Sequence, residues 1–113
     1  MENNNLNPKY IFENFIVGSH NKFAYAASRE VANNPAKSYN PLFIYGEDGL
    51  GKTHLIQAIG NKIIQNNSKF IVSYITSNEF INEMIHSIKE LTKKSELFIE
   101  RFKDIDVLLI DDI

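Results

Sequence analysis

At residues 46–53 the chain reads Gly46-Glu47-Asp48-Gly49-Leu50-Gly51-Lys52-Thr53, which matches the phosphate-binding pattern G-x-x-x-x-G-K-[ST] at every fixed position. The apolar run 41–45 precedes this stretch and is short enough to be a buried strand. Apolar residues follow it at helical spacing: Leu55, Ile56, Ile59 and Ile63. Because the motif requires a strand, a glycine loop and a helix in this order, the stretch predicts a phosphate-binding loop that opens a helix.

The glycines of this stretch indicate its chemistry. Glycine lets the backbone wrap tightly, so that successive N–H groups point at an anion, and the helix N-terminus adds partial positive charge. The Lys52 ammonium would neutralise the β- and γ-phosphates, and the Thr53 hydroxyl would hold Mg²⁺. We therefore expect a nucleoside triphosphate to bind the following loop residues: Gly46, Asp48, Gly49, Leu50, Gly51, Lys52 and Thr53.

A second signal is the apolar run 107–110, which is followed by Asp111 and Asp112. A buried strand that ends in an acid delivers a carboxylate to the edge where open α/β sheets bind ligands. Alone, the pattern is more often a solvated strand end, but beside a phosphate-binding loop it indicates the other half of a nucleotide site. Asp111 would orient Mg²⁺ through its water shell, and Asp112 could polarise an attacking water as a general base.

The predicted elements alternate between helices and strands. Residues 1–9 read as a disordered lead, and residues 10–113 as part of one domain. The predicted elements are a helix from near Ser19 to the stop at Asn33-Asn34-Pro35, a strand at 42–45, a helix over 52–65, a strand at 70–75, a helix that follows this strand and a final strand at 107–110. Thr76 and Glu79 are spaced as a capping box for the helix after the second strand, although Ser77 could cap it equally well. This alternation predicts an α/β fold with a parallel sheet.

The composition of the chain excludes several other classes of protein. The net charge is −2, so any contact with nucleic acid needs a local basic patch. Cys is absent, which excludes disulfides and thiolate metal sites, and the 3 His are not at metal-ligand spacing. The N-terminus lacks the layout of a signal peptide, and no apolar run approaches the ~20 residues that a membrane span needs. These features predict a cytoplasmic protein.

With both halves of the nucleotide site placed, the chain resembles the DnaA family of bacterial chromosomal replication initiators over residues 7–113. The segments that carry the resemblance are 7–10 with Phe12, 14–18, 39–46, 49–55 and 107–113. It implies a P-loop NTPase of the AAA+ class, with a three-layer sandwich around a parallel sheet. That sheet is expected to be incomplete, because the chain ends at the Walker B strand and the family's sensor strand, arginine finger and lid would lie further on.

The resemblance also assigns residues that the patterns leave open. It implies that Ile16 and Val17 line an adenine pocket, although packing in the core is an equally good interpretation. It adds His54 to the nucleotide-binding residues. It further implies that Lys94 and Ser95 belong to an element that contacts single-stranded DNA, whereas lysines at a helix joint are more often a solvated surface.

The implied function is that of an ATP switch with Mg²⁺ as its metal. In such initiators the ATP form binds origin DNA, assembles into a filament and opens the duplex, and a weak ATPase activity resets it. The family implies further partners: duplex DNA through a C-terminal domain, the replicative helicase machinery through an N-terminal domain and acidic phospholipid. Because the family's sensor strand, arginine finger and lid would lie beyond residue 113, the chain is expected to be a fragment without turnover of its own.

Other classes of P-loop protein are less consistent with the sequence. A small kinase would need an acceptor-binding lid, and a GTPase would need an Asp-x-x-Gly pattern after the strand at 107–110. An AAA+ helicase loader or a regulator of the initiator shares this core, but residues 7–18 and 39–45 match initiators better. An inert fragment is the remaining alternative.

Overall fold

The computed structural model describes residues 5–35, 51–89 and 104–111, and for residues 86–89 it describes the backbone alone. A short 3₁₀ helix comes first, at Phe12–Asn14. The other elements are the helices α1 (Lys22–Asn33), α2 (Lys52–Asn66) and α3 (Ser77–Lys89) and the strands β1 (Val72–Thr76) and β2 (Val107–Asp111). The predicted strand at 42–45 lies outside the described residues.

The two described strands pair in parallel, as the alternation of helices and strands predicts. Val72 lies opposite Val107, and the register continues to the pair of Thr76 and Asp111 at the carboxyl ends. Parallel strands with helices packed on the sheet confirm the α/β class. The register sets Asp111 at the carboxyl edge of the sheet, where ligands bind in open α/β folds.

Helix α2 forms the centre of the core. Its apolar face is formed by Leu55, Ala58, Ile59 and Ile63, all of which are buried. Val72 and Tyr74 of β1 and Leu109 of β2 belong to the same buried cluster, so α2 lies on one face of the sheet. Helix α1 packs against α2 and adds Ala32 to the cluster. The start of α2 is therefore held at a fixed position relative to the end of β2.

The predicted start of α1 near Ser19 is three residues too early. The side chain of Asn21 accepts a hydrogen bond from the Gly18 N–H at 2.7 Å and donates one to the Ile16 carbonyl at 3.2 Å. The Asn21 N–H also bonds the Gly18 carbonyl, at 3.2 Å. These bonds fold residues 18–21 into a turn, so the helix begins only at Lys22.

The capping box predicted for α3 is present. The Thr76 N–H donates to Glu79 Oε1 at 3.1 Å, and the Glu79 N–H donates to Thr76 Oγ1 at 3.2 Å. This reciprocal pair satisfies two N–H groups that a helix start leaves without partners. The strand before this helix begins at Val72 rather than at the predicted Phe70. The Ile71 N–H donates to the Asp106 carboxylate at 2.7 Å instead of to a backbone carbonyl, so the regular backbone pairing starts only after Ile71.

Residues 5–9, which the sequence assigns to a disordered lead, contact α2. The Asn7 N–H donates to Gln57 Oε1 at 2.6 Å, and the Asn7 carbonyl accepts from Asn61 at 3.0 Å. Leu6 packs against the core. The lead was inferred from polar composition, whereas the backbone of Asn7 binds the side chains of Gln57 and Asn61 on α2, so the folded part begins before residue 10. Among the described helices, none is both long and apolar enough to span a membrane.

Candidate nucleotide-binding site

The site begins at Gly51, which caps the N-terminus of α2. Its backbone has φ 85° and ψ 16°, in the left-handed region that side chains disfavour. A Cβ at this position would also lie 2.7 Å from Cε1 of Phe15. Both observations require glycine here. Because Gly51 has no side chain, the backbone at the helix start can lie close to Phe15 of the N-terminal segment.

The first turn of α2 carries Lys52 and Thr53, the two predicted phosphate and metal residues. The first intrahelical bond in this turn runs from the Leu55 N–H to the Gly51 carbonyl, at 3.0 Å. The N–H groups before it have no acceptor within an α-helix, and the helix dipole makes this end partially positive. An anion is therefore favoured at the start of α2.

The two halves of the predicted site meet at Asp111. Its Oδ2 accepts a hydrogen bond from Thr53 Oγ1 at 2.7 Å, across 58 residues of sequence. Asp111 is fully buried. Its other oxygen, Oδ1, is buried too and accepts no hydrogen bond from the part of the chain that the structure describes. Because a buried carboxylate oxygen without a partner is costly, Oδ1 is suited to a cation or an ordered water.

Tyr74 is a further contact of Asp111 that the sequence patterns do not indicate. Its hydroxyl donates to the same Oδ2, at 2.7 Å. Burial raises the pKa of Tyr74 to about 12, and the hydrogen bond and negative charge of Asp111 act in the same direction. Hydrogen bonding from Gln57 and Thr53 acts the other way, to lower the pKa. The hydroxyl is therefore protonated near neutral pH and can act as a donor.

The N-terminal segment lies against the start of α2 through aromatic side chains. The Phe15 ring stacks on Tyr25 at a centroid distance of 5.7 Å and meets the His54 ring edge-on at 5.1 Å. His54 Nε2 donates to the Ile11 carbonyl at 2.7 Å, which requires the hydrogen on that nitrogen. The predicted contact of His54 with a nucleotide stays a prediction, since its ring is engaged by the N-terminal segment.

Ile16 and Val17 directly follow Phe15 and are exposed, Ile16 to 88% and Val17 to 45%. Because both side chains are exposed, the alternative that they pack in the core is wrong. It leaves two apolar side chains accessible next to Phe15, whose ring approaches Gly51. Their role in an adenine pocket stays a prediction.

Several predicted site residues lie outside the described part of the chain. They are Gly46, Asp48, Gly49 and Leu50 of the loop, Asp112 beside the second strand, and Lys94 and Ser95 of the predicted DNA-contacting element. The geometry therefore brings together Gly51, Lys52, Thr53 and Asp111, with Tyr74 and Phe15 as neighbours that sequence reasoning missed. Tyr74 lies mid-strand in an apolar run, and only the register of β1 against β2, which pairs it with Leu109 two residues before Asp111, distinguishes it from core.

The chain is similar to known proteins over nearly its whole length. The family model described as the bacterial DnaA ATPase domain matches residues 6–113. The chromosomal replication initiator protein DnaA of Geotalea daltonii is 58% identical over 111 residues, which are 98% of this chain and 24% of that protein. The chain thus spans about a quarter of the length of that curated relative.

Solved structures agree with this match. Domain III of the Thermotoga maritima replication initiation protein DnaA superimposes with a TM-score of 0.85 at 54% identity, covering 96% of this chain and 44% of that one. A replication initiator DnaA bound to AMPPCP and single-stranded DNA has a TM-score of 0.81 at 44% identity, covering 95% of this chain and 32% of that one. On these matches and on the joined halves of its nucleotide site, the chain belongs to the bacterial DnaA ATPase-domain family.

Proposed function

We propose that this chain forms the nucleotide-binding part of a chromosomal replication initiator and binds ATP together with Mg²⁺. The observation that carries the proposal is the hydrogen bond between Thr53 and Asp111 at the glycine-capped start of α2. It supports the proposal because the phosphate-binding and metal-orienting residues of a P-loop site have to lie close together. A structural neighbour that is 44% identical is bound to AMPPCP, an ATP analogue, which supports the same ligand class here.

The residues present fit a magnesium ion. Mg²⁺ prefers oxygen ligands and takes one or two side chains from the protein, while phosphates and waters complete its shell. Thr53 Oγ1 and the buried, unpartnered Oδ1 of Asp111 supply such oxygens. Among the described residues no group of three or more His, Cys, Asp or Glu could hold a metal by itself. When bound, the metal would neutralise phosphate charge.

Lys52 and the N–H groups of the first turn of α2 bind the phosphates in this proposal, while Asp112 acts as the general base. Ile16 and Val17 meet the adenine. Their exposure beside Phe15 supports this, because an apolar pocket for a flat base needs accessible side chains next to the phosphate loop. We expect ATP to bind more tightly than GTP, which a competition titration with a labelled ATP analogue measures. Equal competition by GTP would contradict the assignment of these two residues.

The wider role follows from the family. We propose that the whole protein acts in the cytoplasm, binds origin DNA, assembles into an ATP-dependent filament and contacts the replicative helicase and acidic phospholipid. Single-stranded DNA is bound by a related initiator, which supports this part of the proposal. Lys94 and Ser95 are the residues proposed for that contact. An AAA+ helicase loader is the second candidate, but the relatives compared above are replication initiators.

The decisive test is removal of the loop lysine. Lys52→Ala deletes the ammonium at the phosphates, and since hydrogen bonds to charged groups contribute about 1.5–3 kcal/mol, ATP affinity should fall roughly 10- to 100-fold. Titration calorimetry of the purified protein measures this. Lys62→Ala is the matched control, since it removes the same charge from the same helix ~15 Å further along. Equal affinity in the Lys52→Ala variant and the parent would refute the proposal.

A further inference from the structure

The carboxylate of Asp111 has an uneven set of partners. Both hydrogen bonds that the structure records, from Thr53 Oγ1 and Tyr74 Oη, end on Oδ2, each at 2.7 Å. Oδ1 receives none from the described residues, although it is buried. A freely rotating carboxylate would share two donors between its oxygens. The arrangement thus distinguishes one oxygen that is held by the protein from one that is left for another ligand.

Tyr74 is well placed to enforce this difference. It lies on β1, and its register partner on β2 is Leu109, two residues before Asp111, so both side chains lie on the same face of the sheet. The ring is packed in the core cluster and only 8% exposed. Because the ring is fixed by this packing, its hydroxyl meets Oδ2 with little loss of side-chain freedom.

Tyr74 also differs from Thr53 as a donor. Thr53 is itself a proposed metal ligand, so its hydroxyl changes surroundings when a metal binds. The Tyr74 hydroxyl is fixed by its packed ring. Gln57 follows Thr53 by one helical turn on α2, is buried, and is held by the Asn7 N–H at 2.6 Å. Hydrogen bonding from Gln57 acts to lower the pKa of Tyr74, so Gln57 is a further neighbour of this hydroxyl.

We propose that Tyr74 is a positioning residue for the metal–nucleotide complex: its hydroxyl holds Oδ2 of Asp111 and thereby leaves Oδ1 as the oxygen that meets the metal's water shell. This inference rests on the proposed binding of ATP with Mg²⁺. Groups that hydrogen-bond a metal-orienting side chain set its rotamer, and their loss typically costs about 10- to 100-fold in metal affinity. Tyr74 acts through Asp111, without touching nucleotide.

A purely structural role for Tyr74 predicts a different result. If the hydroxyl only satisfies a buried oxygen, its removal lowers the stability of the fold and affects nucleotide binding equally with and without metal. If it positions Asp111, the loss is confined to the metal-dependent part of binding. The ratio of ATP affinity in Mg²⁺ to ATP affinity in EDTA separates the two roles, because the fold is common to both measurements.

The test compares Tyr74→Phe with the parent by titration calorimetry at several Mg²⁺ concentrations and in EDTA. We expect the Mg²⁺ concentration for half-maximal enhancement of ATP binding to rise about tenfold, with affinity in EDTA unchanged. Ser73→Ala is the matched control, since it removes a hydroxyl from the adjacent position of β1, on the other face of the sheet. An unchanged Mg²⁺ dependence, or equal losses in Mg²⁺ and EDTA, would overturn the inference.

Two further outcomes are decisive. A parent protein that binds no ATP in either condition would refute the proposed function. If the parent shows Mg²⁺-dependent binding, the Mg²⁺ dependence of Tyr74→Phe decides the inference. If Tyr74→Phe does not fold, a crystal structure of the parent with ATP analogue and Mg²⁺ replaces it. Tyr74 bonded to Oδ2, with Oδ1 toward the metal, supports the inference; Oδ2 toward the metal overturns it.

Discussion

Replacing Gly51 by alanine tests the geometry at the start of α2. Two separate costs follow from the structure. The left-handed backbone, with φ 85°, disfavours an L side chain by about 1–2 kcal/mol. The added Cβ would lie 2.7 Å from Cε1 of Phe15, and forcing a methyl group into a packed site costs about 1–3 kcal/mol. Gly51→Ala should therefore lower the free energy of unfolding by about 2–5 kcal/mol.

A double-mutant cycle separates these two costs. In a Phe15→Ala background the collision disappears but the backbone strain stays, so Gly51→Ala should then cost only about 1–2 kcal/mol. Urea unfolding followed by far-ultraviolet circular dichroism measures all four proteins. Gly18→Ala is the control, because its Cβ would meet only the exposed His20 ring, at 3.1 Å, and its φ is not in the left-handed region. Its effect should stay within about 0.5 kcal/mol.

The result that would refute this reasoning is specific. An equal cost of Gly51→Ala in both backgrounds means that Phe15 does not approach Gly51. No cost in either background means that the backbone of Gly51 is not left-handed. The same variants should bind ATP more weakly than the control, because moving Phe15 displaces the backbone that opens the phosphate site.

Three other changes test different parts of the structure. The pKa of Tyr74 is raised in the folded protein to about 12, so its contribution to stability is present below pH 10 and lost between pH 10 and 12. In Tyr74→Phe the loss of stability over this pH range should be smaller by about 2–3 kcal/mol. The variant should also lack one tyrosine that titrates late in the absorbance near 295 nm. Thr76→Ala removes the α3 cap and should cost about 1 kcal/mol in urea unfolding, whereas Ser77→Ala should not. Asn61→Ala deletes bonds to the Asn7 and Tyr10 carbonyls and should speed amide exchange in residues 6–12, with residues 107–111 unaffected.

The sequence predicts those parts of the fold that are encoded locally. The α2 helix follows from its apolar spacing and from the glycine before it, and the structure begins it at Lys52, where the motif requires. The Thr76 and Glu79 box predicts the start of α3 because both partners lie within one turn. The second strand follows from the apolar run 107–110, and Asp111 lies at its carboxyl end, as that run predicts. Each of these signals is complete within a few neighbouring residues.

The rest depends on contacts between distant residues. Nothing near Tyr74 in the sequence indicates a hydroxyl function, since its role arises from the register of β1 against β2. The late start of α1 depends on side-chain bonds of Asn21 that compete with the helix. The contacts of Asn7 require α2 to supply Gln57 and Asn61, which lie at least 50 residues away. Composition alone therefore makes the N-terminal segment resemble a disordered lead.

These N-terminal contacts have a consequence for how the site is assembled. The segment is bonded along α2 through Asn7 at one end and through Ile11 at His54, next to the first turn. Phe15 then rests at Gly51, where the phosphate-binding backbone begins. Ile16 and Val17 directly follow Phe15, so in the proposed adenine pocket they would be held by a segment whose position is fixed on α2. Adenine recognition and phosphate binding would consequently share one rigid support, and loss of the α2 contacts should weaken recognition of the base before it weakens binding of the phosphates.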